Sequence, residues 1–560
     1  MEAPKGERVR RRTGKSVNRP PIGNTAHVDT FVRDHLPPAA AWPVLHYDLP
    51  RLRYAAQTNL AAELLDAHVE AGRGDRTCLI TDARPWTYRD LLAESNQIAR
   101  VLVEDLGLVP GNRVLLRAPN TPTMVACWMA VAKVGGVIVA TMPQLRATEL
   151  AVIASKARVA LALCDGILAD EMEKALGSGG ALQRVAYFDE VLDRASRKDA
   201  QFRNVATAVD DPVLIAFTSG TTGKPKGCVH SHRDALASAD TFFKETLRCG
   251  PDDVFAGSAP IAFTFGLGMN IVFPMRVGAS IALVPKPGPE QLLECCERNR
   301  VTVLSTVPTA YRAMLPLLPK HDVSSVRLPV SAGEALPTPT RRAWMDATGI
   351  PMVEGLGTTE MFHMFIAASG PEIREGATGK VVLGYEAHVF DEKGRPLPAG
   401  TIGRLGVRGP TGCRYLDDER QEEYVQGGWN FTGDAFRMDE EGYFYFQART
   451  DDMIVSAGYN ISGPEVEEAL LAHEAVSECA CVASPDPERG FIVKAFIVTA
   501  PNRETNDELK KSLQEFAKAR VAPYKYPREV EFVSTLPRTE TGKVQRFKLR
   551  QLELDRKRVG

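Results

Sequence analysis

The chain has 560 residues, enough for three to four domains at roughly 150 residues each. Hydrophobic residues make up 44% of it and charged residues 25%, which is ordinary globular usage and excludes a chain disordered along most of its length. Sixty-eight Lys and Arg nearly cancel 70 Asp and Glu, leaving a net charge of -2. No global field therefore draws the protein to nucleic acid or to a membrane surface, and a polyanionic ligand must be held locally.

In chain order, residues 1–25 form a basic tail with Arg8-Val9-Arg10-Arg11-Arg12 at its centre. Such charge runs are usually solvated and disordered, and that reading is preferred here to a nucleic-acid or targeting element. No basic start leads into an apolar segment, so secretion is not expected. The ten cysteines are scattered, without a C-x-x-C pair or a histidine at metal-like spacing, which suits a reduced cytoplasm. The run from Met124 to Met142 is apolar and long enough to span a bilayer. Lys133 and Gly135-Gly136 interrupt it, and a charge at mid-membrane costs about 2.5–3.5 kcal/mol. The pattern instead predicts a buried helix to Val134, a glycine turn and a core strand over Val137 to Thr141.

Up to about residue 380, β-branched runs alternate with helical patterns: 113–116, 213–217, 280–284 and 301–304 read as strands of a largely parallel α/β sheet. From 380 to 450 short strands at 381–383, 388–390 and 404–407 stand between Gly and Pro turns, a small β subdomain. Ser462-Gly463-Pro464-Glu465 is a capping box that starts a helix running to about His473. A strand at 491–498 and a helix with Leu509, Leu513 and Phe516 on one face follow. The fold class expected is α/β: a large multi-layered domain over 26–450, built of two α/β subdomains and a small β subdomain, then a smaller, mobile α+β domain over 451–560.

Chemistry concentrates in Thr218-Ser219-Gly220-Thr221-Thr222-Gly223-Lys224-Pro225-Lys226-Gly227, directly after the strand at 213–217. Hydroxyls, flexible backbone N–H groups and cations without bulk are what phosphate oxygens need. This is no Walker A loop, because Pro225 follows Lys224 and forbids the helix that the Walker motif opens. A polar surface turn is the plainer alternative.

That decapeptide occurs with Gly357-Thr358-Thr359-Glu360, Phe431-Thr432-Gly433-Asp434, Arg449-Thr450-Asp451-Asp452 and Pro537 to Lys543. Together, and in this order, the five motifs resemble those of the adenylate-forming superfamily of acyl-CoA synthetases, adenylation domains and luciferases, over residues 50 to 550. The resemblance implies two steps: a carboxylate attacks the α-phosphate of ATP to give an acyl-adenylate and pyrophosphate, and a thiol then captures the acyl group. By the same resemblance Thr218, Ser219, Gly220, Thr221, Thr222, Gly223 and Lys226 hold the β- and γ-phosphates. Thr359 serves the α-phosphate, and Glu360 binds Mg2+, a hard cation that wants oxygen. Gly333, Glu334 and Ala335 with Glu354, Gly355, Leu356, Gly357 and Thr358 line the adenine slot, and Asp434 and Arg449 take the ribose. Lys543 meets the charge that builds on the reacting carboxylate and α-phosphate; an exposed loop lysine is the plain alternative. Asp451 is the hinge, and Gly458 and Tyr459 border the tunnel for coenzyme A. Two positions depart from the pattern: Leu356 stands where a Tyr often stacks on adenine, and Ala448 where a Gly usually precedes the ribose arginine.

The acid-binding stretch Ser258 to Gly268 has no carboxylate to pair with an α-ammonium, which disfavours a free amino acid. Phe263 and Phe265, with Met361-Phe362-His363-Met364, suggest a flat apolar slot. The arm His27 to Pro38 is similar to that of benzoate- and 2-aminobenzoate-CoA ligases, and Ser456 to Glu465 to the 2-aminobenzoate branch. Thr264, Phe265, Ala332, Gly333, His363 and Met364 are then the residues expected around the ring. The function expected is an aryl-CoA ligase with 2-aminobenzoate as the best substrate. Benzoate or another carboxylic acid, a loader of a carrier protein, and a non-catalytic nucleotide-binding protein are the alternatives. The partners expected are small molecules alone, namely the acid, ATP and CoA, with neither nucleic acid nor membrane; homodimerisation stays open.

Overall fold

The computed structural model describes residues 25–559 except 219–224, 450–451, 457–458, 487–488, 522–523 and 540–541. The phosphate-loop residues Ser219, Gly220, Thr221, Thr222 and Gly223, the expected hinge Asp451 and the tunnel glycine Gly458 lie outside the described residues, as does the basic tail to residue 24.

Two large sheets form the first layers. One has six strands in the spatial order 184–187, 161–164, 113–117, 137–141, 212–218 and 226–231, parallel except for the last pair. The other has nine strands, whose central members 353–357, 328–332, 303–306, 254–257, 280–282 and 77–80 run parallel. Alternation along each strand sends side chains to opposite faces and so builds three cores. Val114, Leu116, Ile138 and Leu214 from the first sheet and Leu79, Phe255, Val303 and Val330 from the second share one core with the helix Pro122–Lys133. Leu115, Val139 and Ile215 point the other way, onto Leu150 and Met172. Ala256, Ala282 and Leu304 cover Leu293 and Trp344.

The apolar run resolves as the sequence predicts. The helix Pro122–Lys133 is followed by Gly135 at φ 71° and the strand Val137–Thr141. Lys133 is fully buried, and its Nζ donates to Asp66 Oδ2 at 2.5 Å. Among the described residues no helix is long and apolar enough to cross a membrane. Two strand readings shift: the run expected at 301–304 forms Val303–Thr306, and that at 280–284 ends at Ala282.

A five-stranded antiparallel sheet carries Trp429–Met438 and Phe444–Arg449 side by side. The C-terminal part has its own sheet of 476–486, 490–499 and 529–532. One face packs on the helices Gly463–Leu471 and Asp507–Lys518, the other on the helix Arg546–Val559 through Leu549. The capping box forms by half. Ser462 Oγ accepts from the Glu465 N–H, but the Glu465 carboxylate is taken by Lys525 at 2.6 Å. The long strand Val476–Asp486, with Cys479 and Cys481 facing the core, carried no reading at the sequence level. All ten cysteines are buried thiols.

Candidate active site

A cleft of about 2030 Å3 opens where both large sheets present the carboxyl ends of their parallel strands, with the five-stranded sheet beside it and the C-terminal part above it. That end is where open α/β sheets place ligands.

The strand Pro212–Thr218 ends at the expected phosphate loop, and the chain returns in Lys226–Ser231 as its antiparallel neighbour, with Thr218 opposite Lys226. Pro225 thus ends the loop in a hairpin rather than a helix. The Thr218 hydroxyl is buried without a hydrogen-bond partner among the described residues, an orphan that an anionic oxygen would satisfy. Lys226 Nζ donates to the Tyr415 hydroxyl at 2.8 Å and lies 3.6 Å from Glu360 Oε1. Thr359 and Glu360 sit on a tight turn just past Val353–Gly357, both buried, and the Thr358 hydroxyl caps that turn by accepting from the Met361 N–H. The ring of His230 reaches the Thr359 carbonyl at 2.7 Å from the strand behind.

Asp434 and Arg449 are directly paired across two antiparallel strands. Arg449 Nη1 donates to Asp434 Oδ1 at 3.0 Å and to the Thr432 carbonyl at 3.1 Å. Gly433 takes φ 77°, a conformation natural to glycine, and a Cβ there would stand 2.7 Å from the Arg449 guanidinium and displace it. Gly333 follows the strand Leu328–Ala332 at φ 91°, a conformation natural to glycine, and begins the slot with Glu334 and Ala335. Gly355 lets Met364 lie against the strand, since a Cβ at that position would stand 2.1 Å from its sulfur. Leu356, Gly357 and Thr358 reach the cleft. Glu354 lines it too, but its carboxylate is committed to Arg341 at 2.7 Å and to the Leu336 N–H at 3.1 Å. It builds the wall rather than offering a free acceptor.

Lys543 enters from the C-terminal part. Its Cε lies 3.8 Å from where a Cβ on Gly333 would be, and its Nζ is 5.9 Å from the centre of the Phe263 ring. Burial pulls its pKa below the ordinary lysine value, against the opposing pull of Glu334, Asp434 and Glu360. Three residues on, Arg546 makes a two-pronged pair with Glu467 at 2.6 and 3.0 Å, which ties the lysine's segment to the helix Gly463–Leu471.

The candidate acid pocket gathers Thr264 and Phe265 from a single helical turn, Ala332 and Gly333 from the strand end, and His363 and Met364 after the Glu360 turn. His363 is packed among Phe242, Phe265 and Phe273, with ring centres 5.5, 5.8 and 4.5 Å away. Burial pushes its pKa down to about 3, so the ring is neutral. Its Nε2 lies 3.4 Å from the Phe265 carbonyl, which places the proton on that nitrogen and leaves Nδ1 a buried acceptor without a partner. Phe242, Phe273, His230 and Tyr415 escaped the sequence reading; helical or strand patterning marks such residues only as core.

The model of the AMP-binding enzyme family matches residues 65–414, and that of the AMP-binding enzyme C-terminal domain matches 465–543. Benzoate–CoA ligase of Thauera aromatica is 34% identical over 90% of this chain and 97% of its own length. The crystal structure of the anthranilate CoA ligase AuaEII in complex with anthranoyl-AMP superposes with a TM-score of 0.86 at 33% identity, covering 90% of this chain and 99% of that one. A benzoate CoA ligase from Burkholderia xenovorans LB400 gives 0.80 at 30% identity, over 88% and 100%. The chain belongs to the AMP-binding enzyme family. It is an adenylate-forming acyl-CoA ligase that uses ATP, with a large N-terminal and a smaller C-terminal domain.

Proposed function

We propose that the enzyme is an aryl-CoA ligase whose preferred acid is 2-aminobenzoate, made into its adenylate and then passed to coenzyme A. The observation that carries this reading is the partnerless Nδ1 of neutral His363 among aromatic rings, beside the stretch Ser258 to Gly268 that has no acidic side chain. The flat apolar slot takes a ring, and an acceptor there suits a ring that brings an N–H donor beside its carboxylate. The same kind of acid appears in the name of the AuaEII ligase.

In the first half-reaction an acid oxygen attacks the α-phosphorus, the bond to the β-phosphate breaks, and pyrophosphate leaves with the electron pair. Lys543 offsets the charge building between carboxylate and α-phosphate, and Thr359 donates to the same phosphate. Thr218 and Lys226 hold the outgoing phosphates, and Asp434 with Arg449 takes the ribose hydroxyls. The donor set fits Mg2+, which is bound by one or two carboxylates plus substrate phosphates rather than by a protein cage. Glu360 is that carboxylate, and no group of three or more His, Cys, Asp or Glu placed to hold a metal ion by themselves occurs among the described residues. When bound, Mg2+ neutralises phosphate charge. In the second half-reaction the thiol sulfur attacks the acyl carbon, AMP departs, and the thiol proton goes to solvent. We read 26–450 as the body holding ATP and acid, and 451–560 as the lid. The lid turns about Asp451 between half-reactions and brings Gly458 and Tyr459 to the thiol's path.

Pyrophosphate release over a panel of acids, with and without CoA, tests the reading. Turnover is expected to be fastest with 2-aminobenzoate and to yield its thioester. His363→Phe should erase a preference over benzoate of about 3- to 10-fold, the worth of one neutral hydrogen bond. No turnover with any benzoate refutes the aryl reading, and a rate indifferent to CoA points to a carrier protein as acceptor.

A further inference from the structure

Tyr415 belongs to none of the motifs above, yet its side chain joins the two groups that would meet the metal and the polyphosphate. The segment around it docks on the strand Lys226–Ser231: the Val229 N–H donates to the Arg414 carbonyl at 2.9 Å and the Leu416 N–H to Gly227 at 2.8 Å. Tyr415 is fully buried, its own N–H donates to the Gln421 side chain at 2.9 Å, and its ring packs edge-on against Tyr424. The hydroxyl is therefore fixed in place. It donates to Glu360 Oε1 at 2.5 Å and accepts from Lys226 Nζ at 2.8 Å. A phenol has one proton, so these two bonds fix its direction: proton toward the carboxylate, lone pair toward the ammonium.

Lys226 and Glu360 stand only 3.6 Å apart. Already within ion-pair distance, the ammonium and the carboxylate would, without a competing partner, close to a direct, charge-assisted hydrogen bond. The Tyr415 hydroxyl, bonded to both from one side, gives each a competing hydrogen-bond partner. Glu360 Oε2 accepts no hydrogen bond from the described residues, so one carboxylate oxygen stays open, as a hard cation requires.

The geometry points to Tyr415 as a positioning residue that keeps Glu360 open to Mg2+ and Lys226 open to the β- and γ-phosphates. The inference rests on the reading of Glu360 as the metal-binding carboxylate. It is tested with the full chain by calorimetric titration of Mg2+ at fixed ATP, and of AMP alone. Tyr415→Phe keeps the ring and removes only the hydroxyl. Its half-saturating Mg2+ should rise about tenfold, while affinity for AMP, which has neither outer phosphate, stays within twofold. Unchanged half-saturation overturns the inference. So does an AMP affinity that falls in step, because the loss is then general distortion. Glu360→Gln separates the two levels. If that variant keeps the wild-type Mg2+ dependence, the reading of Glu360 fails; if it loses it and Tyr415→Phe does not, only the role of Tyr415 fails.

Discussion

Gly268→Ala places one methyl group against the wall of the acid pocket without touching a reacting group. A Cβ at 268 would stand 2.4 Å from Cδ2 and 2.7 Å from Nε2 of His363, and 2.9 Å from Cε2 of Phe273. Relaxed carbon contacts lie near 3.5–4.0 Å, so the imidazole would have to retreat by about 1 Å. Phe242, Phe265 and Phe273 crowd its ring, so the displacement is expected to encroach on the cleft that His363 lines. Overpacking of this kind costs about 1–3 kcal/mol. If that cost falls on acid binding, KM for the acid rises by about 5- to 150-fold, at tenfold per 1.4 kcal/mol. KM for ATP should stay within twofold, since Asp434, Arg449 and Thr359 are untouched. Steady-state kinetics with each substrate varied in turn, beside a thermal melt, checks this. A folded variant with unaltered acid KM would refute the placement of His363 in the acid pocket.

Four further outcomes are expected. Lys543→Ala should abolish adenylate formation but spare thioester formation from supplied acyl-adenylate, measured by pyrophosphate and thioester assays. In the wild type, burial lowers the Lys543 pKa, so the cation is present below the folded value and lost above it. The adenylation rate should then fall on the alkaline side at a lower pH than an ordinary lysine, near 10.4, would dictate, while the thioester step from supplied acyl-adenylate lacks that limb. Leu356→Tyr should restore stacking on adenine worth about 0.5–1.5 kcal/mol and lower KM for ATP about 2- to 12-fold; a rise in KM would mean that residue 356 does not face the base. Lys133→Met leaves the Asp66 carboxylate, 15% exposed, with Asn204 as its remaining side-chain partner. Urea unfolding should show a loss near the low end of about 3–5 kcal/mol, and Lys133→Met with Asp66→Leu should recover most of it.

The sequence by itself determined what local chemistry can carry. The run of hydroxyls and glycines after an apolar strand, with Pro225 barring a helix, pointed to a phosphate loop and argued against a Walker motif. Lys133 and the glycine pair told a buried helix and strand from a membrane span, because a charge and a turn are local facts. The same holds for the helix start at Ser462, although only half of its capping box forms, since Lys525, 60 residues on, takes Glu465. Tertiary structure alone decided which groups meet. Lys226 and Tyr415 are 189 residues apart, His230 and Thr359 129, and His363 and Phe265 98. No periodicity reports such pairs, because they arise from which strands become neighbours. Glu354 is the converse case: it reads as part of the adenine slot, but Arg341 and the Leu336 N–H claim its carboxylate. A buried charge must be paired, and only the packing says with what.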